Sequence, residues 1–187
     1  MHSDELATLS RVARKDPIVD CFKHILVPTD FGDCAERALD VAVELAQKLD
    51  TKLTLLHVCE LPVSSYAIYA QGLYFPMDSL EAAAAKALDL ATTRLKARYP
   101  KAESALRTGT ALDQVLAVRD ELGADLIIMG THGRRGVSRL LLGSVAEKAV
   151  RMAPVPVLTV PSREHSKIAE NGAPKIEKAE QAKSART

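Results

Sequence analysis

Only three of the 187 residues are cysteine, and Cys21, Cys34 and Cys59 are an odd set without a CxxC pair. That excludes a disulfide framework and leaves no zinc knuckle. Aromatic residues are equally scarce, 4% of the chain with no tryptophan, so there are few platforms on which bases stack. Charge of one sign is missing too: 25 Lys and Arg stand against 24 Asp and Glu, a net charge of +1. Such a balance provides no field for nonspecific attraction to a phosphate backbone, and nucleic acid is disfavoured as a partner. No apolar run reaches the ~18 residues that cross a bilayer, and the opening MHSDELATLSRVARKD lacks the apolar centre of a signal peptide. The expectation is a protein of the reducing cytoplasm, with no membrane attachment.

What is present is globular composition, 47% hydrophobic and 26% charged, enough apolar surface for one core in a chain of this length. The ends differ from the middle. Residues 1–21 form a polar extension, and residues 163–187, REHSKIAENGAPKIEKAEQAKSART, have no aromatic and only two isoleucines. They bury too little to offset their ordering entropy, which predicts a mobile charged tail. Residues 22–162 are expected to hold the folded domain.

Within that domain short apolar runs alternate with segments of helical period. HILVP (24–28), KLTLLHV (52–58), ESALR (103–107), DLIIM (125–129) and VPVLTV (155–160) predict five strands, the second and fourth nearly continuous as in strands buried on both faces. Asp33 with Glu36 suggests a capping box opening a helix whose Leu39, Ala42, Ala46 and Leu49 share a face. A second helix runs from Asp78 or Ser79 to Tyr99, with Leu80, Ala84, Leu88, Ala91 and Leu95 in register, and Pro100 stops it. Thr110 opens a third helix that closes at Gly123, and Ser144 with Glu147 opens a fourth that ends before Pro154. A βαβαβαβαβ order demands parallel strands with right-handed crossovers, hence an open, doubly wound, Rossmann-like α/β sheet of five strands and four helices. Ligands of such folds sit beyond the carboxyl ends of the strands, where the strand order reverses.

The segment after the fourth strand, GTHGRRGVSRLLLGS (130–144), contains four glycines and three arginines, Arg134, Arg135 and Arg139, and leads into the last helix. Glycine lets backbone N–H groups approach a ligand, and a helix N-terminus attracts anions. Gly143 and Ser144 are therefore expected to present free N–H groups to phosphate oxygens, with the Ser144 hydroxyl as cap, phosphate donor or both. The plainer reading, loop glycines and solubilising arginines, stays open. No GxGxxG and no P-loop Gly-Lys-Ser/Thr occurs.

The spacing Gly130-x-x-Gly133-(nine residues)-Gly143-Ser144, together with PTDF (28–31), LLHV (55–58) and PVPVLTVP (154–161), resembles the ATP-binding branch of the universal stress protein family over roughly residues 22–161. The resemblance implies a strand order of 3-2-1-4-5. It also implies ATP contacts by Asp30 near the ribose, Val58 through its backbone at adenine, Met129, Gly130, Gly133, Gly143 and Ser144, and Val145 at the phosphates. Pro28, Thr29, His132 and Arg134 are drawn into the site as neighbours within the same motifs. Mg²⁺ or Mn²⁺ would accompany the phosphates, and the protein would act as a nucleotide-dependent regulatory module in stress response.

Several readings remain open. Asp30 also suits a turn satisfied by helix N–H groups. His57 suits a hydrogen-bonded core histidine, His132 lacks partners at metal spacing, and Cys34 and Cys59 are candidates for redox chemistry or plain buried thiols. An enzyme using Asp30 or His132 as base and Ser144 as acceptor is the rival function, and an interaction protein with an empty crevice is a third. Pro156 marks residues 155–160 as an edge strand; unpaired valines there, and the resemblance, suggest a two-fold homodimer through Val155 to Val160.

Overall fold

A computed structural model describes residues 22–60, 76–133 and 142–161. The elements are β1 (His24–Thr29), α1 (Asp33–Leu49), β2 (Lys52–Cys59), α2 (Met77–Arg98), β3 (Ala102–Thr108), α3 (Ala111–Leu122), β4 (Leu126–Gly130), α4 (Ser144–Met152) and β5 (Val157–Val160). All strand pairs are parallel and the order is β3-β2-β1-β4-β5. This is the expected single-domain doubly wound sheet of five strands and four helices. The polar N-terminal extension, the charged tail and all three loop arginines lie outside the described residues.

Strand alternation divides the core in two. Ile25 and Val27 of β1, Leu53 and Leu55 of β2, and Leu126 and Ile128 of β4 face α1 and α2. Leu26, Leu56, Ile127 and Met129 face α3 and α4. Burying both faces is why β2 and β4 carry nearly unbroken apolar runs, and each fully buried Leu or Ile contributes about 1.5–3 kcal/mol relative to exposure.

Helix and strand ends differ from the sequence expectation in instructive ways. Gly32, extended at φ −86° and ψ 166°, is the N-cap of α1, and Asp33 and Glu36 sit in the first turn without a side-chain capping bond. Their carboxylates act on the helix dipole instead. Thr110 is the N-cap of α3 but makes no side-chain cap bond; Glu60, at the end of β2, accepts the Ala111 N–H at 2.9 Å. Gly143, not Ser144, caps α4. Strand β5 starts at Val157 rather than Val155, because Pro154 and Pro156 lack the N–H a ladder needs; Val155 packs on the α3/α4 core from outside the strand. Gly123 closes α3 at φ 63°, as expected for a left-handed C-cap.

The amino end of the sheet contains a buried titratable group. His24 is 7% exposed, with Nδ1 3.2 Å from the Leu122 carbonyl and Nε2 2.8 Å from Thr54 Oγ1. A carbonyl only accepts, so Nδ1 carries the proton and Nε2 accepts from the Thr54 hydroxyl. Burial pushes the His24 pKa down, the Leu122 hydrogen bond opposes this, Lys52 lowers it further, and Glu103 and Asp125 raise it. The unfolded chain therefore binds this proton more readily. The contribution is complete above the ordinary histidine pKa of about 6.5 and is lost as pH falls below it toward the depressed folded value. Urea midpoints should accordingly drop between about pH 7 and pH 5, and His24→Gln should flatten that segment of the profile. An unchanged slope in the variant would assign the pH dependence to other groups.

Candidate functional site

The order reverses between β1 and β4, and both strands end at the same crevice. Pro28 and Thr29 are the last paired residues of β1, opposite Leu56 and His57 of β2. Val58 thus runs one residue past the end of β1, half-buried against the α3/α4 core. Beyond Thr29 the chain turns sharply. Thr29 Oγ1 accepts the Phe31 N–H at 2.9 Å, Asp30 Oδ1 accepts the Gly32 N–H at 3.0 Å, and Phe31 has φ 61°. Asp30 is therefore a turn residue, yet it also faces a partner loop: a Cβ added at Gly133 would lie 3.0 Å from Asp30 Oδ2. The segments after β1 and β4, 103 residues apart at Asp30 and Gly133, are brought into contact here.

The glycines have structural reasons that the sequence reading assigned to a ligand. At Gly130 a Cβ would stand 2.7 Å from the Cβ of Cys34 and 2.8 Å from its carbonyl carbon. Gly130 is thus required by the close approach of β4 to α1. At Gly143 a Cβ would stand 2.9 Å from the Thr131 carbonyl oxygen, and the Gly143 N–H donates to that same oxygen at 2.7 Å. The expectation of a free Gly143 N–H is corrected: that donor ties the start of α4 to the β4 loop. The first-turn donors that helix geometry leaves without intrahelical acceptors are those of Ser144, Val145 and Ala146. Ser144 is exposed and Val145 is half-buried on the α3/α4 core.

Thr131 joins several parts, and nothing in the sequence marked it. Its N–H donates to Val160 of β5 at 3.0 Å, its carbonyl holds Gly143, and its hydroxyl lies 2.9 Å from Nδ1 of His132. Met129 is 6% exposed and its side chain belongs to the core, so it offers only backbone to the crevice. Arg134 falls outside the described residues. Cys59 is buried, its thiol pushed up by burial and then by Glu81, and Cys34 is buried beneath Gly130. A thiol held protonated is a poor nucleophile, which weighs against redox sensing at Cys59. Among the described residues no three His, Cys, Asp or Glu side chains cluster as metal ligands, and no helix is long and apolar enough to cross a membrane.

An open parallel α/β sheet with Asp30 after β1 and the start of α4 tied to the loop after β4 defines a protein of the doubly wound class, in which ligand sites lie at such a crevice. Residues 22–161 match the model of the universal stress protein family, and the chain belongs to that family. It is 30% identical over 141 residues to a universal stress protein of Methanocaldococcus jannaschii, covering 74% of this chain and 82% of that one. It is 34% identical over 142 residues to one of Thermus aquaticus, covering 74% and 98%. Among solved structures it is similar to a universal stress protein in complex with cAMP, at 25% identity and TM-score 0.56, covering 75% of this chain and 97% of that one.

Proposed function

We propose that the chain binds ATP in the crevice between β1 and β4 and works as a nucleotide-dependent regulatory module. The observation that carries this reading is the joining of Asp30, Gly133 and the start of α4 at one point. Asp30 Oδ2 lies at the Gly133 backbone, and Gly143 is tied to the same loop by its bond to Thr131. A carboxylate accepts ribose hydroxyls, the absence of a side chain at Gly133 leaves its backbone accessible to a ligand beside Asp30, and the Ser144, Val145 and Ala146 N–H groups donate to phosphate oxygens. The backbone of Val58 beyond β1 offers an edge for adenine. The similar structure with cAMP supports an adenine nucleotide as the ligand class. Mg²⁺ or Mn²⁺ would accompany the phosphates, held chiefly by phosphate oxygens and water.

The test is mass spectrometry of denatured, freshly purified protein, followed by thermal melting with ATP and Mg²⁺. A co-purified adenine nucleotide, or a rise in melting temperature, is the expected result. Neither one in a folded sample would end this reading.

The module is further proposed to be a homodimer through β5, which is an edge of the sheet. Leu158 is the residue to test, being 41% exposed, whereas Val157 packs partly on the core. An unpaired edge with an exposed leucine suits pairing with its own copy about a two-fold axis. Leu158→Lys is expected to yield monomer by light scattering; a dimer of unchanged affinity would place the interface elsewhere.

A further inference from the structure

His57 lies one residue before Val58 but on the opposite face of the sheet. It alternates with Leu53 and Leu55, which face α1 and α2, whereas Val58 packs on the α3/α4 core. Its Nδ1 is 2.8 Å from the Thr29 carbonyl, and its ring stacks on Phe31 with centroids 4.4 Å apart and planes inclined by 42°. Because a carbonyl only accepts, Nδ1 donates. Thr29 is where β1 ends, and Phe31 is held at φ 61°, in the left-handed region that a residue with a Cβ seldom enters. Both contacts therefore grip the two residues that flank Asp30. One holds the backbone before it and the other holds the strained residue after it. The other two bonds of the turn, Phe31 N–H to Thr29 Oγ1 and Gly32 N–H to Asp30 Oδ1, need that same geometry.

We propose that His57 is a positioning residue for Asp30: from behind the sheet it locks the Thr29–Gly32 turn in the form that sends the carboxylate toward Gly133, and so sets nucleotide affinity without touching the ligand. The affinity part of this rests on the nucleotide reading above. A histidine serves both functions at once, since its ring supplies an aromatic face for Phe31 and a fixed donor for Thr29.

The experiment measures ATP affinity by calorimetry, and amide hydrogen exchange at Phe31 and Gly32, in His57→Leu, His57→Phe and His57→Asn. Losing the donor should weaken ATP binding about tenfold in His57→Leu, the scale of one hydrogen bond. Asn, whose amide N–H sits near the position of Nδ1, should recover most of it, and Phe should recover little. In an Asp30→Ala background His57→Leu should have no further effect, since the two act as one unit. Equal losses in both backgrounds would overturn the proposal, because His57 would then act on the ligand or on stability at large. Should the wild type bind no nucleotide, the function reading fails by itself and exchange decides the positioning. Faster exchange at Phe31 and Gly32 in His57→Leu supports it, and unchanged exchange there refutes it. If His57→Leu does not fold, the contrast between Asn and Phe carries the same test.

Discussion

Gly130→Ala is expected to lower stability by about 1–3 kcal/mol, and Gly130→Val by more, although neither removes any contact. The added Cβ would stand 2.7 Å from Cys34 Cβ, 2.8 Å from Cys34 C and 3.0 Å from Ala35 N. Two of these three atoms are helix backbone, so no rotamer change relieves the overlap. Helix α1 must move as a body, yet Ala35, Ala38, Leu39 and Ala42 anchor it in the core. The measurement is the urea midpoint, read as a change in stability at constant m-value. Cys34→Ala should not rescue the double variant, because the Cβ and backbone of residue 34 remain. Complete rescue would show that the sulfur, not the helix backbone, sets the limit.

That result would bear on how a glycine signature is read. In the sequence, Gly130, Gly133 and Gly143 looked like one device for admitting phosphates. In the structure, Gly130 and Gly143 clear space for the protein's own backbone, and Gly133 alone clears space on the side of Asp30. The pattern is still informative about the site, because the close approaches at Gly130 and Gly143 bring β4, α1 and α4 together around it. Spacing along the chain shows where glycine is needed; only three-dimensional neighbours show what presses on it.

The sheet itself was legible for a different reason. Burial on both faces imposes a period on every strand, and each helix carries its apolar stripe, so the element order and the parallel topology follow from repeated signals. End effects are single events, and a competing partner displaced the expected one at several. Glu60 reaches the N-terminus of α3 from another element, Asp30 takes the Gly32 N–H at the start of α1, and Gly143 gives its N–H to Thr131. Phe31 at positive φ had no local sign, since phenylalanine is not a residue that favours that region. Its cause is the His57 ring and the Thr29 hydroxyl, which are set by tertiary structure.

Gly133→Val should leave the fold intact and abolish the response to ATP. Among the described residues the close neighbour of an added Cβ is the carboxyl end of Asp30, a side chain that can turn aside, and Gly133 is exposed, so the substitution is expected to cost the apo protein little. Its γ-methyls would occupy the passage between Asp30 and the α4 N-terminus. A ligand at 100 times its Kd stabilises the native state by about 2.7 kcal/mol, which for a domain of this size is a rise of about 5–10 °C. That rise should vanish in Gly133→Val while the apo melting temperature stays near the wild-type value. A preserved rise would remove the Gly133 loop from the site. Asp30→Ala separates binding from chemistry on the same crevice. A γ-phosphate attack needs a base or positioned water as well as charge neutralisation. Asp30 has one oxygen committed to the Gly32 N–H at the turn after β1, and His132 has Nδ1 beside the Thr131 hydroxyl. Single-turnover mixing of nucleotide-free protein with ATP should therefore give slow ADP formation or none, and Asp30→Ala should weaken affinity far more than it alters the rate constant of the bound complex. Several turnovers per second, lost in His132→Ala at unchanged affinity, would instead establish an enzyme and displace the regulatory reading.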